Sequence, residues 1–391
     1  MSQSMITNAS ALSDAAHKVC KVALEQREET EQSRRLAPLV VDQLKTLKLF
    51  RLGLSKSLHG WDIDPVEVLK AYELLSSAEA SVGWIVWNNH LACTFGRFLN
   101  ESAMNEIYKN PSDSYANSTR PEGYAKVVPG GYMVSGKWTL VSGCELADWF
   151  ALRCLVTSKD LPSKLGPGAL LKIVYIPKDA VTIVDTWSVG GLRGTGSHDI
   201  KVQETFVPES YSISFDGHVH IDNAYSRLPI GCMNAAGCAS MALGLVKSAI
   251  DELVKMSLEG ITSGNNPDLR DRPRVQTAVA ECLSIISAVR SNLYQSVSIL
   301  WKESLARNSY TDKQLADVWA ASYQAASISK STLSEIYAVA GTSSLYTKCP
   351  IERAHRDIHA ILQHGIIQPH WMNLAGMAYL GITPTEAMFR T

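Results

Sequence analysis

Between Ser114 and about Tyr211 the spacing of apolar residues changes, and beyond that stretch it changes back. Before it, Leu36, Val40, Val41, Leu44 and Leu47 recur at helical intervals. Asp64-Pro65 supplies a cap and a first turn for a helix over Val66–Ala78, and a second apolar helix is expected from Ser81 to Leu99. Within the stretch, glycines punctuate short runs rich in Val, Tyr, Thr and Trp, such as Gly131-Tyr-Met-Val-Ser-Gly-Lys-Trp, which is the texture of strands joined by tight turns. After a loop near 212–223, helical periodicity returns over Ala224–Leu258, Arg270–Arg307, Thr311–Ala340 and Ile351–His364, with a connecting loop at 260–271. Helices, then β, then helices gives an α+β chain, with expected units at 1–112, 113–212 and 213–391.

Composition removes several function classes. A net charge of −1 offers no basic surface for nucleic acid or an anionic membrane. No uninterrupted apolar run approaches the roughly 20 residues that span a bilayer. The first residues lack a basic segment followed by an apolar one, so a cytoplasmic location is expected. Eight scattered cysteines without a CxxC pair read as buried thiols, and no zinc spacing is present.

Four blocks carry the chemistry. Ala80-Ser-Val-Gly-Trp84 runs on through Trp87 and Asn88-Asn89-His90. On a regular helix Trp84 and His90 point about 120° apart, so they would line different walls of one site. His90 is otherwise a satisfied core histidine. Gly136-Lys-Trp-Thr-Leu-Val-Ser-Gly-Cys places Trp138 on a strand and Ser142 at its turn. Trp187–His198 contains Gly-Leu-Arg-Gly-Thr-Gly-Ser, but a strand-like Asp199-Ile-Lys-Val-Gln follows it, so the helix N-terminus of a dinucleotide fingerprint is missing. Ala340–His364 joins a small-residue loop to a helix bearing Arg353, His355, Arg356, Asp357, His359 and His364. His355 and His359 share a face, yet with Glu352 they match no metal spacing.

Together these blocks resemble the two-component flavin-dependent monooxygenases built on the acyl-CoA dehydrogenase fold, and most of all the indole and indole-acetate oxygenases. The resemblance implies an N-terminal helical domain, a central β-barrel-like domain and a C-terminal four-helix bundle, assembled as a homotetramer. It also implies reduced FAD or FMN as cofactor, O2 as co-substrate, and a separate NAD(P)H:flavin reductase as partner. By resemblance, Trp84, Ser118, Trp138, Ser142, Arg193, Arg270, Gln276, Gly341 and Ser343 would contact the flavin. His90, Trp87, Asn88 and Trp371 would contact a small aromatic substrate.

The implied reaction is hydroxylation through a flavin C4a-hydroperoxide, with Ser142, His364 and His90 as catalytic residues and His359 the fallback for His364. A hydroxyl at Ser142 suits N5 because it can both donate and accept. Indole-type hydroxylation is the first expectation, with phenol ortho-hydroxylation or N- or S-oxygenation as alternatives. An acyl-CoA dehydrogenase is the alternative from another class. That chemistry needs a carboxylate base, whereas the chain reads Leu362-Gln363-His364-Gly365 where an acid can stand.

Overall fold

The computed structural model describes residues 3–158, 164–166, 168–259 and 267–391, so most of the loop expected at 260–271 lies outside the described residues. Six helices come first: α1 (Gln3–Glu25), α2 (Arg27–Ser33), α3 (Pro38–Thr46), α4 (Pro65–Ala78), α5 (Ala80–Thr94) and α6 (Glu101–Ile107). Seven strands follow: β1 (Tyr115–Val128), β2 (Gly131–Val141), β3 (Trp149–Thr157), β4 (Leu171–Pro177), β5 (Val181–Val184), β6 (His198–Pro208) and β7 (Ser212–Ile213). The chain closes with α7 (Ile230–Leu258), α8 (Pro273–Ala306), α9 (Asp312–Ala340), α10 (Pro350–Ile361) and α11 (His370–Tyr379).

Helix starts are set by local chemistry. The Asp64 carboxylate accepts from Val66 N at 2.8 Å and Pro65 occupies the first turn of α4. Asn100 caps α6, and Thr311 with Gln314 forms a reciprocal capping box on α9. Expected bounds shift where backbone chemistry intervenes. Helix α5 tightens to a 3-10 turn after Thr94, and α7 begins only after Pro229. A fifth C-terminal helix, α11, joins the expected four.

The strands form one sheet in the order β5-β6-β2-β1-β3-β4-β7, with β1 and β3 parallel and the other pairs antiparallel. Among the described residues the edge strands β5 and β7 do not pair with each other, so hydrogen bonding does not close a barrel. Trp138, Phe150, Val174 and Ile200 make the sheet's own apolar core. The helical segments before and after the sheet share a single core, in which Val19, Leu75 and Val82 pack with Leu243, Val246 and Leu333. A third cluster, including Phe95, Tyr108, Tyr115 and Tyr175, joins sheet to helices. Arg51 is fully buried there and donates to Tyr108 O, Asn110 O and the Tyr115 hydroxyl at 2.7–3.1 Å, so its charge is compensated by oxygen acceptors.

Helix α7 is long and apolar enough to cross a membrane by length and composition, which the absence of an uninterrupted apolar run had hidden. Its most apolar window is 89% buried by the protein's own helices, as a central core helix would be.

Close helix packing depends on glycine at two points of α7. A Cβ on Gly244 would lie 2.2 Å from Glu73 O of α4, and one on Gly237 would lie 2.6 Å from the Trp87 ring. The first neighbour is backbone and cannot step aside. Gly244→Ala is therefore expected to lower stability by about 1–3 kcal/mol. Gly376→Ala in α11 meets nothing within 4 Å and should be neutral or stabilising by about 0.5–1 kcal/mol. Urea midpoints measure both, and equal midpoints for the two variants would refute this account of the α4–α7 contact.

Candidate active site

Helix α5 brings four of the expected residues into place. Its Trp84 indole N–H donates to Ser142 Oγ at 2.9 Å, and Ser142 sits just past β2, before Gly143 with its positive φ of 71°. Ser142 Oγ lies 2.8 Å from Ser197 Oγ, which lies 2.7 Å from Thr195 Oγ1, which donates to Leu192 O at 2.9 Å. Gly143 N donates to Thr195 O at 2.9 Å, so the β2 turn and the 190–197 turn are tied by backbone as well as side chains.

The 190–197 turn is also docked on α10. Leu192 N donates to the Asp357 carboxylate at 2.6 Å, and the Arg356 guanidinium donates to Gly190 O. Gly191 is required there, since a Cβ would fall 2.3 Å from Arg356 O. Burial, reinforced by the neighbouring Glu79, pushes the Asp357 carboxyl up to about 7. Arg353 on the same helix pairs with buried Glu79 at 3.2 Å.

His364 follows α10 and turns back toward α5. Its ring meets those of Trp84 and Trp87 edge-on at centroid distances of 5.7 and 5.3 Å. Its Nδ1 accepts from Ile366 N at 3.2 Å. A backbone N–H can only donate, so the neutral ring carries its proton on Nε2 and offers that N–H outward. Burial, and then the positive charge of Arg120, lower its pKa to about 4, so the ring is neutral near pH 7. His359, the fallback, has no contact with the two tryptophans and lies against His355 on α10.

Trp87 is the party wall. Its ring touches Trp84 at 4.9 Å and His364 on one side. On the other it lines a cleft of about 450 Å³, open mouth included, together with Val68, Leu69, Tyr72, His90, Leu91, Arg97, Tyr225, Met233 and Asn234. His90 does not stand free in this cleft. Tyr72 OH is bonded to its Nδ1 and Tyr225 OH lies 2.8 Å from its Nε2, so both nitrogens are occupied. Burial and nearby Arg97 lower its pKa to about 3. His90 therefore meets a guest only through the tyrosines bonded to it, and burial keeps their hydroxyls protonated.

Other expected residues lie elsewhere. Trp138 is wholly buried in the sheet core, donates to Arg153 O at 2.9 Å, and fills the space over Gly123 and Gly136, so its ring is taken up by the sheet itself. Arg193 pairs with Glu31 of α2 at 3.3 Å and donates to Val189 O, so its guanidinium is already engaged by the chain's own acceptors. Trp371 stacks on Trp319 at 3.9 Å in the helical core and donates to Gly365 O; it braces the His364 turn and is not a wall of the cleft. Asn88 accepts from Asn117 and so faces the sheet. Ser118 is buried on β1. Arg270, Gln276 and Gly341 are exposed and Ser343 is partly so, and the chain's own contacts do not tie them to Ser142. Among the described residues no group of three or more His, Cys, Asp or Glu is placed to hold a metal ion.

Tyr72, Tyr225 and Asn234 escaped the sequence reading, and Thr195 and Ser197 entered it only as members of the Gly-Leu-Arg-Gly-Thr-Gly-Ser block. Tyr72 had a signal, since a hydroxyl on the buried face of an apolar helix requires a partner.

Comparison with known proteins shows which chains this one is similar to. Residues 236–369 match the family model described as acyl-CoA dehydrogenase, C-terminal domain. The chain is 26% identical over 357 residues to indole-3-acetate monooxygenase of Pseudomonas putida, covering 91% of this chain and 90% of that one. It is 27% identical over 375 residues to the oxygenase subunit HsaA of a Mycobacterium tuberculosis flavin-dependent monooxygenase, covering 92% of each. The crystal structure of the M. tuberculosis HsaA monooxygenase superposes with a TM-score of 0.89 at 25% identity, covering 97% of this chain and 99% of that one. XiaF from Streptomyces sp., in complex with FADH2 and glycerol, shows the same fold with a TM-score of 0.90 at 23% identity, covering 98% of each chain.

The relatives that the chain matches over about nine-tenths of its length are flavin-dependent monooxygenases, and it shares their acyl-CoA dehydrogenase-like fold. As a monooxygenase site, the grouping of Ser142, Trp84 and His364 is chemically suited to a flavin ring. Its donors and acceptors are neutral hydroxyls, an indole N–H and a neutral imidazole N–H, which match the uncharged amide-like edge of an isoalloxazine. Among the described residues no carboxylate lines the cleft.

The neutral state of His90 has a measurable consequence. Its folded pKa of about 3 lies below the unfolded value near 6.5. The unfolded chain therefore takes up the proton first, and this group's contribution is intact above pH 6.5 and lost as pH falls toward 3. The stability difference between the enzyme and His90→Gln should shrink by about 2 kcal/mol from pH 6.5 to 4.5. Urea unfolding across that range measures it, and a pH-independent difference would refute a neutral buried His90.

Proposed function

We propose that the chain is the oxygenase component of a two-component system, using reduced FAD or FMN from a separate reductase and O2 to hydroxylate a small flat aromatic of the indole type. Bound reduced flavin supplies the electrons and the oxygen activation. The protein supplies position, dryness and proton placement. Ser142 holds the flavin edge from one side, and the His364 Nε2–H donates a hydrogen bond into the space beside it. Trp84 and Trp87 shield that space from water, which limits loss of activated oxygen as hydrogen peroxide.

The observation that favours indole over a simple phenol is Asn234. Asn234 lines the cleft, and its buried side-chain oxygen has no hydrogen-bond donor among the described residues. A buried acceptor of this kind costs stability until a donor fills it, and an indole N–H is such a donor. The apolar lining by Val68, Leu69, Leu91 and Met233 suits the rest of a neutral bicyclic ring. A phenol would place its hydroxyl at Tyr225, whose partner is His90, and is the second reading.

A homotetramer is part of the proposal. Leu258, Leu283 and Ile285 are exposed by 70%, 52% and 42%, apolar side chains on α7 and α8 that subunit contacts in such an assembly would cover. In that assembly Arg270, Gln276, Gly341 and Ser343 are the proposed flavin-phosphate contacts, reaching the flavin of another subunit. The eight cysteines are all free thiols, as a reducing cytoplasm would keep them.

Two measurements test the function. Purified protein given reduced flavin, oxygen and indole should yield hydroxylated product. Bleaching of bound oxidised flavin by an acyl-CoA, without product from indole, would overturn the proposal. Asn234→Leu should raise KM for indole about tenfold, the worth of one buried hydrogen bond, and change KM for 1-methylindole little; equal changes for both would remove Asn234 as the N–H acceptor. In His364→Gln the fraction of oxygen ending in product should fall at least tenfold while peroxide release rises. Because the His364 ring is neutral down to about pH 4, that fraction should show no His364-dependent loss between pH 8 and 5.5.

A further inference from the structure

The direction of every hydrogen bond from Trp84 to Leu192 is fixed by its two ends. An indole N–H can only donate, so Ser142 Oγ accepts at 2.9 Å from Trp84. A backbone carbonyl can only accept, so the single Thr195 hydroxyl proton is spent on Leu192 O at 2.9 Å. Thr195 Oγ1 must then accept from Ser197 across their 2.7 Å contact, which spends the Ser197 proton. Ser197 Oγ must in turn accept from Ser142 across 2.8 Å, which spends the Ser142 proton. One hydroxyl oxygen has two lone pairs, and Trp84 takes one of those on Ser142. What Ser142 has left to offer a ligand is one lone pair and no proton.

All four groups are buried, with Ser142, Thr195 and Ser197 each exposed by 6% or less, so water does not readily exchange into the chain and let it reverse. Its far end is held by the docking of the turn on α10 through Asp357. A line of hydroxyls donating in one sense also polarises each member, which strengthens Ser142 as an acceptor.

We propose that Ser197 and Thr195 are positioning residues that hold Ser142 as a pure acceptor, and that this makes the site select reduced over oxidised flavin. The inference rests on the reading of Ser142 as the flavin-edge contact. Reduced flavin presents N5–H, a donor that matches the free lone pair. Oxidised flavin presents N5 as an acceptor, so two lone pairs would face each other. The earlier expectation that the Ser142 hydroxyl both donates and accepts is thereby narrowed to acceptance alone. Product flavin, once oxidised, loses this bond and is released for re-reduction.

The test is binding rather than turnover. FAD and FMN are titrated in oxidised form by flavin fluorescence and, anaerobically, in dithionite-reduced form by absorbance. Wild type should bind the reduced form at least tenfold more tightly. Ser197→Ala frees the Ser142 proton to turn toward N5, so the oxidised form should gain about tenfold in affinity, while the reduced form stays within about threefold. The two-electron potential of the bound flavin should then fall by about 30 mV, the equivalent of that tenfold. Thr195→Val keeps the volume, releases the Ser197 proton, and should act in the same direction if Ser197→Ala folds poorly. In a Ser142→Ala background neither substitution should change the ratio. An unchanged ratio in Ser197→Ala and Thr195→Val, with reduced flavin still bound, would overturn this inference alone. Failure of wild type to bind either redox form would overturn the flavin reading and this inference with it.

Discussion

Helix α5 is apolar on every side, and the rest of the fold is arranged to cover it. Thirteen of its fifteen residues are buried, so it has no face to give to water, and each flank must be met by a different partner. Helix α4 and Gly237 of α7 pack on one side, the strand β1 and the β2 turn on another, and the His364 turn on a third. A helix surrounded in this way fixes its side chains tightly, because rotamers have no room to change. That rigidity lets Trp84, Trp87 and His90 serve three separate surroundings from one element.

The polar contacts that hold these layers together are concentrated where α10 meets the N-terminal helices. Glu79, at the head of α5, pairs with Arg353 of α10 at 3.2 Å and with Arg27 at 3.7 Å. Such buried pairs contribute little net stability, since desolvation offsets most of the attraction. Their value lies in geometry: removing one partner leaves a charge without compensation, so only one docking of α10 is tolerated. Asp357 and Arg356 then carry that fixed docking to Leu192 and Gly190, and hence to the hydroxyls beyond them.

What was legible in the sequence follows from the range of the forces involved. The order of helices and strands was legible because periodicity is local, and so were the caps at Asp64 and the turn at Ser142. Trp84, Ser142 and His364 could be named from their motifs, although what joins them is a tertiary fact. Trp138 misled because an aromatic on a glycine-flanked strand looks the same whether its ring faces a ligand or, as here, covers Gly123. Trp371 misled for a similar reason, since stacking on Trp319 depends on a helix more than fifty residues earlier. Tyr225 and Asn234 were silent because a single polar residue near a helix start carries no pattern until the cleft is seen.

The pairing of His90 with two tyrosines has a consequence for how the cleft receives its guest. A neutral imidazole has one proton to share between two nitrogens, so Tyr72 and Tyr225 must play opposite parts at any moment. If the proton sits on Nε2, Tyr225 is the receiver and its own hydroxyl hydrogen is free to point at a guest. If it sits on Nδ1, Tyr225 gives its hydrogen to the ring and shows the guest only lone pairs. What Tyr225 shows a guest is thus set by which tautomer the imidazole holds, with every heavy atom in the same place.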